Sequence, residues 1–366
     1  MSKIFNDPVH GRIEIPESCV KIIDTIEFQR LRNLKQLGLT NYVFHGATHT
    51  SFEHSIGVCY LSGEWAKHLQ RKHPELNITY KDIEIVQIAG LIHDIGHGPF
   101  SHTFERFIKR TRPDINYNHE EMTINIFKKI NCCSELVINS VCDIIRGTQT
   151  WPGDKQKGTP SKVFLASIVH NTINGLDADK LDYFIRDSQC TSFAIGCDWK
   201  RIVYESEVMN NEIVFPRKMI GDIFNIYQIR FRLYRELYFH KTVRIIEDAI
   251  LDLIVSADSA GVFNFNGRSL SYSVDSVDSF LLTGDDIIGQ IERCNLPSLV
   301  NSLNLIKTRN FNTDKNLDNE PRYVNYGMKE ENPLLKVTFV DKDGKKVEID
   351  QTFIDTMIPK KFAYSI

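Results

Sequence analysis

The spacing of apolar and polar positions predicts helix over most of the first two-thirds of the chain. Val20, Ile23, Phe28, Leu31, Leu34 and Leu37 fall at helical intervals across residues 18–37. A second helix is expected over 54–70, after the turn HGATHTS. A third is expected over 81–97, ending where Gly98-Pro99 cannot continue it. Further helices are expected near 118–130, 134–146, 161–173 and 177–188. The period changes at 201–216, where IVYESEVM and EIVFP flank Asn210-Asn211 as two strands around a tight turn. One long helix then runs from about 219 to 256. Beyond 306, KTRNFNTDKNLDNEPR is rich in Asn and Asp and has no periodic apolar face, so it reads as a loop. The tail, LLKVTFV, DKDG and KKVEI, reads as a hairpin. The expected fold class is mainly α. A helical core with a small β-hairpin spans 1–306, a linker spans 307–323, and a short α+β lobe spans 324–366.

The 366 residues are 42% hydrophobic and 25% charged, enough for a large core in one or two domains. A net charge of -3 gives no global support for nucleic-acid binding, so any anion must be met by local cation clusters. No apolar run approaches the length of a bilayer span, and MSKIFNDPVHG has no signal-peptide core. The eight cysteines are scattered without a CxxC pair, which fits reduced thiols and an intracellular site, cytoplasmic or nuclear. Cys132 and Cys133 read as packing residues.

The chemistry concentrates in LIHDIGHGPFSHTFE, Leu91 to Glu105. His93 and Asp94 stand side by side in an apolar run, where burial is costly without a partner. A divalent metal is the natural partner. Imidazole and carboxylate ligands suit Mn, Fe, Zn or Ni. His54 in SFEHSIGV and Asp179 in NGLDADKLDYFIRD complete the order H…HD…D. Each residue alone has a plain reading as a satisfied core or surface group. Three histidines and an aspartate packed into one helix end are harder to read that way. His97, His102 and His119 remain as donors for a leaving group that needs a proton. Lys180, Tyr183 and Asp187 share one helical face after Asp179, and Arg230, Tyr234 and Tyr238 repeat every four residues.

FNDPVHG, FQRLRNLKQLG, FEHSIGV, QIAGLIHDIGHGPFSH, NHEE and DADKLDYFIRD, in this order, resemble the HD-domain deoxynucleotide triphosphohydrolases. The resemblance runs from about residue 3 to 256, resumes at VNYGMKEENP near 324–333 and carries on to the end. It covers the family's catalytic core, so no SAM domain is expected. It implies an HD-domain helical core and a metal held by His54, His93, Asp94 and Asp179, with Mg2+ accompanying the nucleotide. The implied reaction cuts a dNTP into deoxynucleoside and inorganic triphosphate. His119 matches the catalytic histidine, His97 its close partner, and His102 a phosphate contact. Glu105 stands where the family usually has the aspartate that pairs with the catalytic histidine, so an altered rate is expected. Lys180, Tyr183 and Arg230 match phosphate contacts, Asp187 and Gln36 contacts to the 3′-hydroxyl, and Leu37 the substrate pocket. Tyr238 matches the aromatic that packs on deoxyribose and leaves no room for a 2′-hydroxyl. Ser51 replaces an arginine and Phe239 a glutamine of vertebrate members.

The resemblance also implies regulation. Vertebrate members are activated by guanine nucleotides and dNTPs that join dimers into tetramers, so a homodimer or homotetramer is expected. Asp24, Gln29 and Arg32, with Lys3, Ile4 and Asn6, match the guanine pocket. Without the resemblance, Asp24 and Arg32 would read as plain surface charges. Val43, Phe44, Arg201, Lys218, His240 and Lys241 match the adjoining dNTP site. Asp222 and Glu331 replace an asparagine and a lysine there, and an arginine near Lys218 is displaced to Arg217 beside Pro216. Weakened or differently specified activation is expected. Two other readings remain: an HD phosphohydrolase of other nucleotides, and a nucleotide- or nucleic-acid-binding regulator with reduced catalysis. The number of cations argues against the first, and the intact histidine-aspartate cluster against the second.

Overall fold

The computed structural model describes residues 2–148, 150–152, 161–310 and 333–349, with the backbone of 322–323 and 363–364. The chain opens with an antiparallel hairpin, β1 (Lys3–Asp7) and β2 (Gly11–Ile15), in which Asp7 faces Gly11. One oxygen of Asp7 closes its turn by accepting from the backbone N–H of Val9 and of His10, each at 2.8 Å.

The helix expected over 18–37 is three short pieces. α1 (Glu17–Ile23) stops at Asp24, and α2 (Ile26–Gln29) restarts behind Thr25, whose hydroxyl accepts from the N–H of Phe28. Arg30–Asn33 is a 3-10 turn. Phe28, Leu31 and Leu34 stay buried through these breaks, so the apolar spacing does not reveal them.

α3 (Ser51–Lys72) begins with a capping box in which Glu53 accepts from the N–H of Thr50 at 2.6 Å. α4 (Tyr80–Ile92) returns antiparallel after a short connection, so the start of α3 lies beside the end of α4. α4 stops at Ile92 instead of 97. His93 is its C-cap, and tight turns from Ile92 to Ile95 and from Asp94 to His97 replace the helical ladder. α5 (His102–Thr111), α6 (His119–Ile130) and α7 (Glu135–Ile145) follow. The helix expected over 161–173 is only a 3-10 segment, Val163–Ile168. Asn171 and Gly175 (φ +71°) turn the chain into the next helix, α8 (Ala178–Thr191).

The strand expected from 201 starts later. α9 (Trp199–Glu205) is capped by Asp198 and buries Trp199, Ile202 and Val203, an i, i+3, i+4 stripe. β3 (Glu207–Met209) and β4 (Glu212–Pro216) then pair across Asn210-Asn211, whose φ values of +50° and +62° fit the two-residue turn. The expected long helix is divided into α10 (Ile220–Leu233), a π-helical turn at Tyr234–Tyr238, and α11 (Lys241–Ser259). His240 lies outside the ladder and caps α11 by accepting from the N–H of Thr242. α12 (Val277–Phe280), α13 (Ile287–Glu292) and α14 (Pro297–Lys307) complete the helical set. A short backbone pair joins β5 (Arg322–Tyr323) to β8 (Ala363–Tyr364). The tail hairpin is β6 (Phe339–Val340) and β7 (Lys346–Val347), and β6 pairs parallel to β4 in a four-stranded sheet. Most of the proposed linker 307–323 and of the lobe 324–366, including Glu331, lies outside the described residues. No helix among the described residues is long and apolar enough to cross a membrane. All eight cysteines are free, and Cys132 is exposed rather than packed.

Candidate active site

The antiparallel α3–α4 pair brings His54 and His93 together, with their Nε2 atoms 3.3 Å apart. α8 adds Asp179, whose Oδ1 lies 3.1 Å from His54 Nε2 and 3.4 Å from His93 Nε2. Asp94 completes the group from the turn after α4. Its Oδ2 is 3.7 Å from His54 Nε2 and 3.4 Å from His93 Nε2. Its other oxygen is 3.4 Å from His97 Nε2, so Asp94 bridges the ligand group to the next histidine.

These donors fit a divalent cation. His54 Nδ1 donates to Asp182 Oδ2 at 2.8 Å, and His93 Nδ1 donates to the carbonyl of Gly90 at 2.9 Å. Both outer nitrogens are therefore committed as donors, and both Nε2 atoms face the same point beside two carboxylates. Burial opposes a charge on His54, yet Asp179 and Asp182 outweigh it and raise the imidazole to about 9. His93 is raised in the same way, with Asp94 and Asp179 overcoming burial. The cluster calls for positive charge at its centre, which a divalent ion supplies without adding a proton to either ring.

Beside this group lies a stack of histidines. The His97 and His119 rings are parallel within 14° with centroids 4.1 Å apart. Gly96 permits this approach, because a Cβ there would stand 2.2 Å from the carbonyl oxygen of His119 at the start of α6. Burial, reinforced by the neighbouring His119, pushes His97 down to about 4, so it is neutral near pH 7. Glu105 spans two rings: its Oε1 is 2.5 Å from His119 Nδ1 and its Oε2 3.4 Å from His102 Nδ1. Burial works against the Glu105 carboxylate, but the bonds to His102 and His119 hold it well below the usual range. His102 follows Phe100 and Ser101, two consecutive residues at φ +58° and +52°. Asp285 braces that loop by accepting from the N–H groups of Phe100 (2.7 Å) and Lys35 (2.9 Å).

A cavity of about 660 Å³ extends from Asp94, His97 and Asp179 past Lys180 and Arg230 to Asp187 and Tyr238. Leu37 and Tyr183 line it as well. Asp187 accepts from Tyr238 Oη at 2.6 Å on one oxygen and contacts His49 Nε2 at 2.8 Å on the other. Gln36 is fixed by a 2.7 Å bond from the Ser51 hydroxyl. Lys180 Nζ is held by Asp177 at 2.9 Å. The Arg230 guanidinium lies 4.2 Å from the centre of the Tyr234 ring, and Tyr234, whose place in the four-residue repeat reads from the sequence as helix packing, lines the cavity.

The sequence reading missed several cavity residues. Arg106, Arg244 and Glu247 line the same space, and Arg244 pairs with Glu247 at 2.6 Å. Arg106 was accessible to pattern reasoning, since it follows His102 by four residues on one helix face. Arg244 was not, because its direction depends on the π turn before α11.

The residues matched to nucleotide regulation form small separate groups. Lys3 pairs with Asp24 at 2.5 Å, and Arg32 donates to Gln29 at 2.8 Å while lying 3.5 Å over the Phe52 ring. Ile4 is exposed. Phe44 meets His240 edge to face at 5.6 Å. Arg201 pairs with Asp222 at 3.1 Å and Lys218 with Glu205 at 2.7 Å.

Residues 51–157 match the HD domain family. The chain is 32% identical to deoxynucleoside triphosphate triphosphohydrolase SAMHD1 of Mus musculus over 99% of its own length and 67% of the relative's. It is 34% identical to the Bos taurus protein of that name, over 99% of this chain and 73% of the relative. A Dictyostelium discoideum SAMHD1 homolog is 35% identical over 87% of this chain and 60% of the relative. With a candidate metal-ligand group assembled where α3, α4 and α8 meet and this similarity along nearly its whole length, the chain belongs to the SAMHD1 family of HD-domain deoxynucleoside triphosphate triphosphohydrolases.

Proposed function

We propose that this protein hydrolyses dNTPs to deoxynucleoside and inorganic triphosphate. The observation that carries the reading is one cavity lined by two of the proposed metal ligands, Asp94 and Asp179, and by the His97–His119 stack, together with Asp187, Gln36 and Tyr238. His54, His93, Asp94 and Asp179 would hold a divalent ion (Fe, Mn, Zn or Ni), and Mg2+ would accompany the nucleotide. The bound ion supplies positive charge to the phosphoryl oxygens and acidifies water.

The remaining work falls to the chain's own groups. Lys180, Tyr183, Arg230 and His102 hold the triphosphate. Asp187 and Gln36 take the 3′-hydroxyl, and Leu37 and Tyr238 enclose the sugar. Water attacks the α-phosphorus, and the bond to the 5′-oxygen breaks. His119, with Nδ1 committed to Glu105, presents Nε2 to the cavity and delivers a proton to that oxygen. The neutral His97 ring stacked on His119 holds its plane without adding a second charge. The test is to incubate metal-loaded protein with each dNTP and Mn2+ or Mg2+, with and without GTP, and to detect triphosphate. Absence of triphosphate under every condition overturns the reading.

Guanine nucleotide activation is part of the proposal, through Lys3, Ile4, Asn6, Asp24, Gln29 and Arg32. The adjoining dNTP site (Val43, Phe44, Arg201, Lys218, His240 and Lys241) is weakened, because Asp222 and Glu205 already occupy its cations Arg201 and Lys218. Assembly beyond a dimer is correspondingly weak. A stable tetramer in sedimentation only when GTP and dNTP are present together would contradict this.

A further inference from the structure

The metal ligand His54 is tied to the first ten residues of the chain by a buried network. Asp182, on α8, accepts four hydrogen bonds. Its Oδ2 takes His54 Nδ1 and Arg186 Nε, each at 2.8 Å. Its Oδ1 takes His10 Nε2 at 2.6 Å and Arg186 Nη2 at 3.0 Å. A carboxylate offers about four acceptor positions, so the group is saturated. The same Arg186 Nη2 reaches Asp7 Oδ2 at 3.0 Å, while the other oxygen of Asp7 fixes the backbone N–H of His10.

The side chains of His10 and Asp182 are fully buried. The His10 ring is enclosed by Tyr60 at 5.5 Å and by the edge of Trp199 at 5.7 Å. Its Nδ1 has no hydrogen-bond partner among the described residues, so its bond to Asp182 is what directs it. The space for this junction is provided by Gly57, one turn after His54. A Cβ there would lie 2.0 Å from Asp182 Oδ1 and 2.4 Å from Arg186 Nη2. Two helices and a hairpin therefore converge on one carboxylate, whose side-chain partners among the described residues are His10, Arg186 and the proposed metal ligand His54.

We propose that His10 is a positioning residue of the metal centre: from the turn of the N-terminal hairpin it fixes Asp182, and through Asp182 the tautomer and ring orientation of His54. The neighbour of a metal-bound imidazole sets which nitrogen is free to bind and where it points, and loss of such a partner weakens binding by roughly 10–100-fold. Removing His10 leaves one lone pair of Asp182 buried and unmet and lets the carboxylate turn on Arg186. Of these residues, only His54, Gly57 and Tyr60 fall inside the segment that matches the HD domain family.

The experiment is the affinity of the full-length, metal-stripped protein for Mn2+ alone, measured by competition with a chelator, which needs no dNTP hydrolysis. His10→Phe keeps an aromatic ring in the Tyr60–Trp199 enclosure but cannot donate, and is expected to bind Mn2+ about 10-fold or more weakly. His10→Gln places an amide N–H where Nε2 stands and is expected to recover most of the affinity. Should His10→Phe fail to fold, Asp7→Asn carries the same expectation, since it loosens Arg186 and the hairpin turn while keeping their shape. Mn2+ affinity within twofold of wild type in a folded variant overturns the proposal. So does a lower melting temperature of the metal-free variant with unchanged affinity, which would mark a purely structural role.

Discussion

Glu105 Oε1 lies 2.5 Å from His119 Nδ1, so the longer carboxylate does reach the histidine it is matched to. Its second oxygen turns toward His102, 3.4 Å away. An aspartate at this position is shorter and less able to span both rings. Glu105→Gln is expected to lower kcat about 10–100-fold, and His119→Ala about 10²–10⁴-fold, the range of a lost proton donor. Metal content and KM should change little in both. A loss of bound metal equal to the loss of activity would refute the assignment.

Tyr238 is fixed by its bond to Asp187 and by edge contacts with Tyr183 at 6.3 Å and Tyr234 at 5.0 Å. In the proposed binding mode such a ring excludes a 2′-hydroxyl by crowding. Tyr238→Ala is expected to lower the preference for dNTP over NTP by about 10-fold, comparable to the effect of one small group in a pocket. Competition between dGTP and GTP as substrates measures it, and an unchanged ratio would place ribose rejection elsewhere.

His49 contributes a pH-dependent part of the stability. Burial opposes its charge, but Asp187 and Cys190 outweigh burial and raise it from 6.5 to about 9. The folded state then holds the proton more tightly than the unfolded chain. The stabilisation is complete below about pH 6.5 and is lost as pH rises through about 9. The melting temperature should fall between pH 7 and 10, and His49→Gln should flatten that fall. A variant that melts with the wild-type pH profile would exclude His49 as the source.

Removal of the divalent ion should abolish triphosphate release and lower the melting temperature, because a ligand that binds only the folded state stabilises it. Asp179→Asn removes a charged ligand and should reproduce both effects without chelator. Full activity after exhaustive chelation, with metal absent by elemental analysis, would contradict the ligand assignment.

The members of the proposed metal group were legible from local signals and from the family resemblance: a His-Asp pair at a helix end, with His54 and Asp179 in the order H…HD…D. The three-dimensional closure of that group was not. His10 meets Asp182 across 172 positions and His49 meets Asp187 across 138, distances at which spacing carries no information. Helix interruptions at Asp24 and at His93 escaped for another reason. The buried apolar positions keep their phase through a cap or a 3-10 turn, so a periodic pattern continues where the hydrogen-bond ladder does not. Ser51 illustrates a third gap: it reads as a lost cation, yet in the fold it is buried and orients Gln36.

The π turn at Tyr234–Tyr238 has a consequence for how this helix can vary. A π turn holds one residue more than an α-helical turn, and each residue rotates the helix by about 100°. Deleting a single residue from 234–237 would convert the π turn to an α-helical one, while the break at Phe239–His240 before α11 would remain. It would also rotate Tyr238 by about a quarter turn relative to Arg230 on α10, away from the cavity. The length of this segment, more than its composition, keeps the two halves of the pocket wall in register.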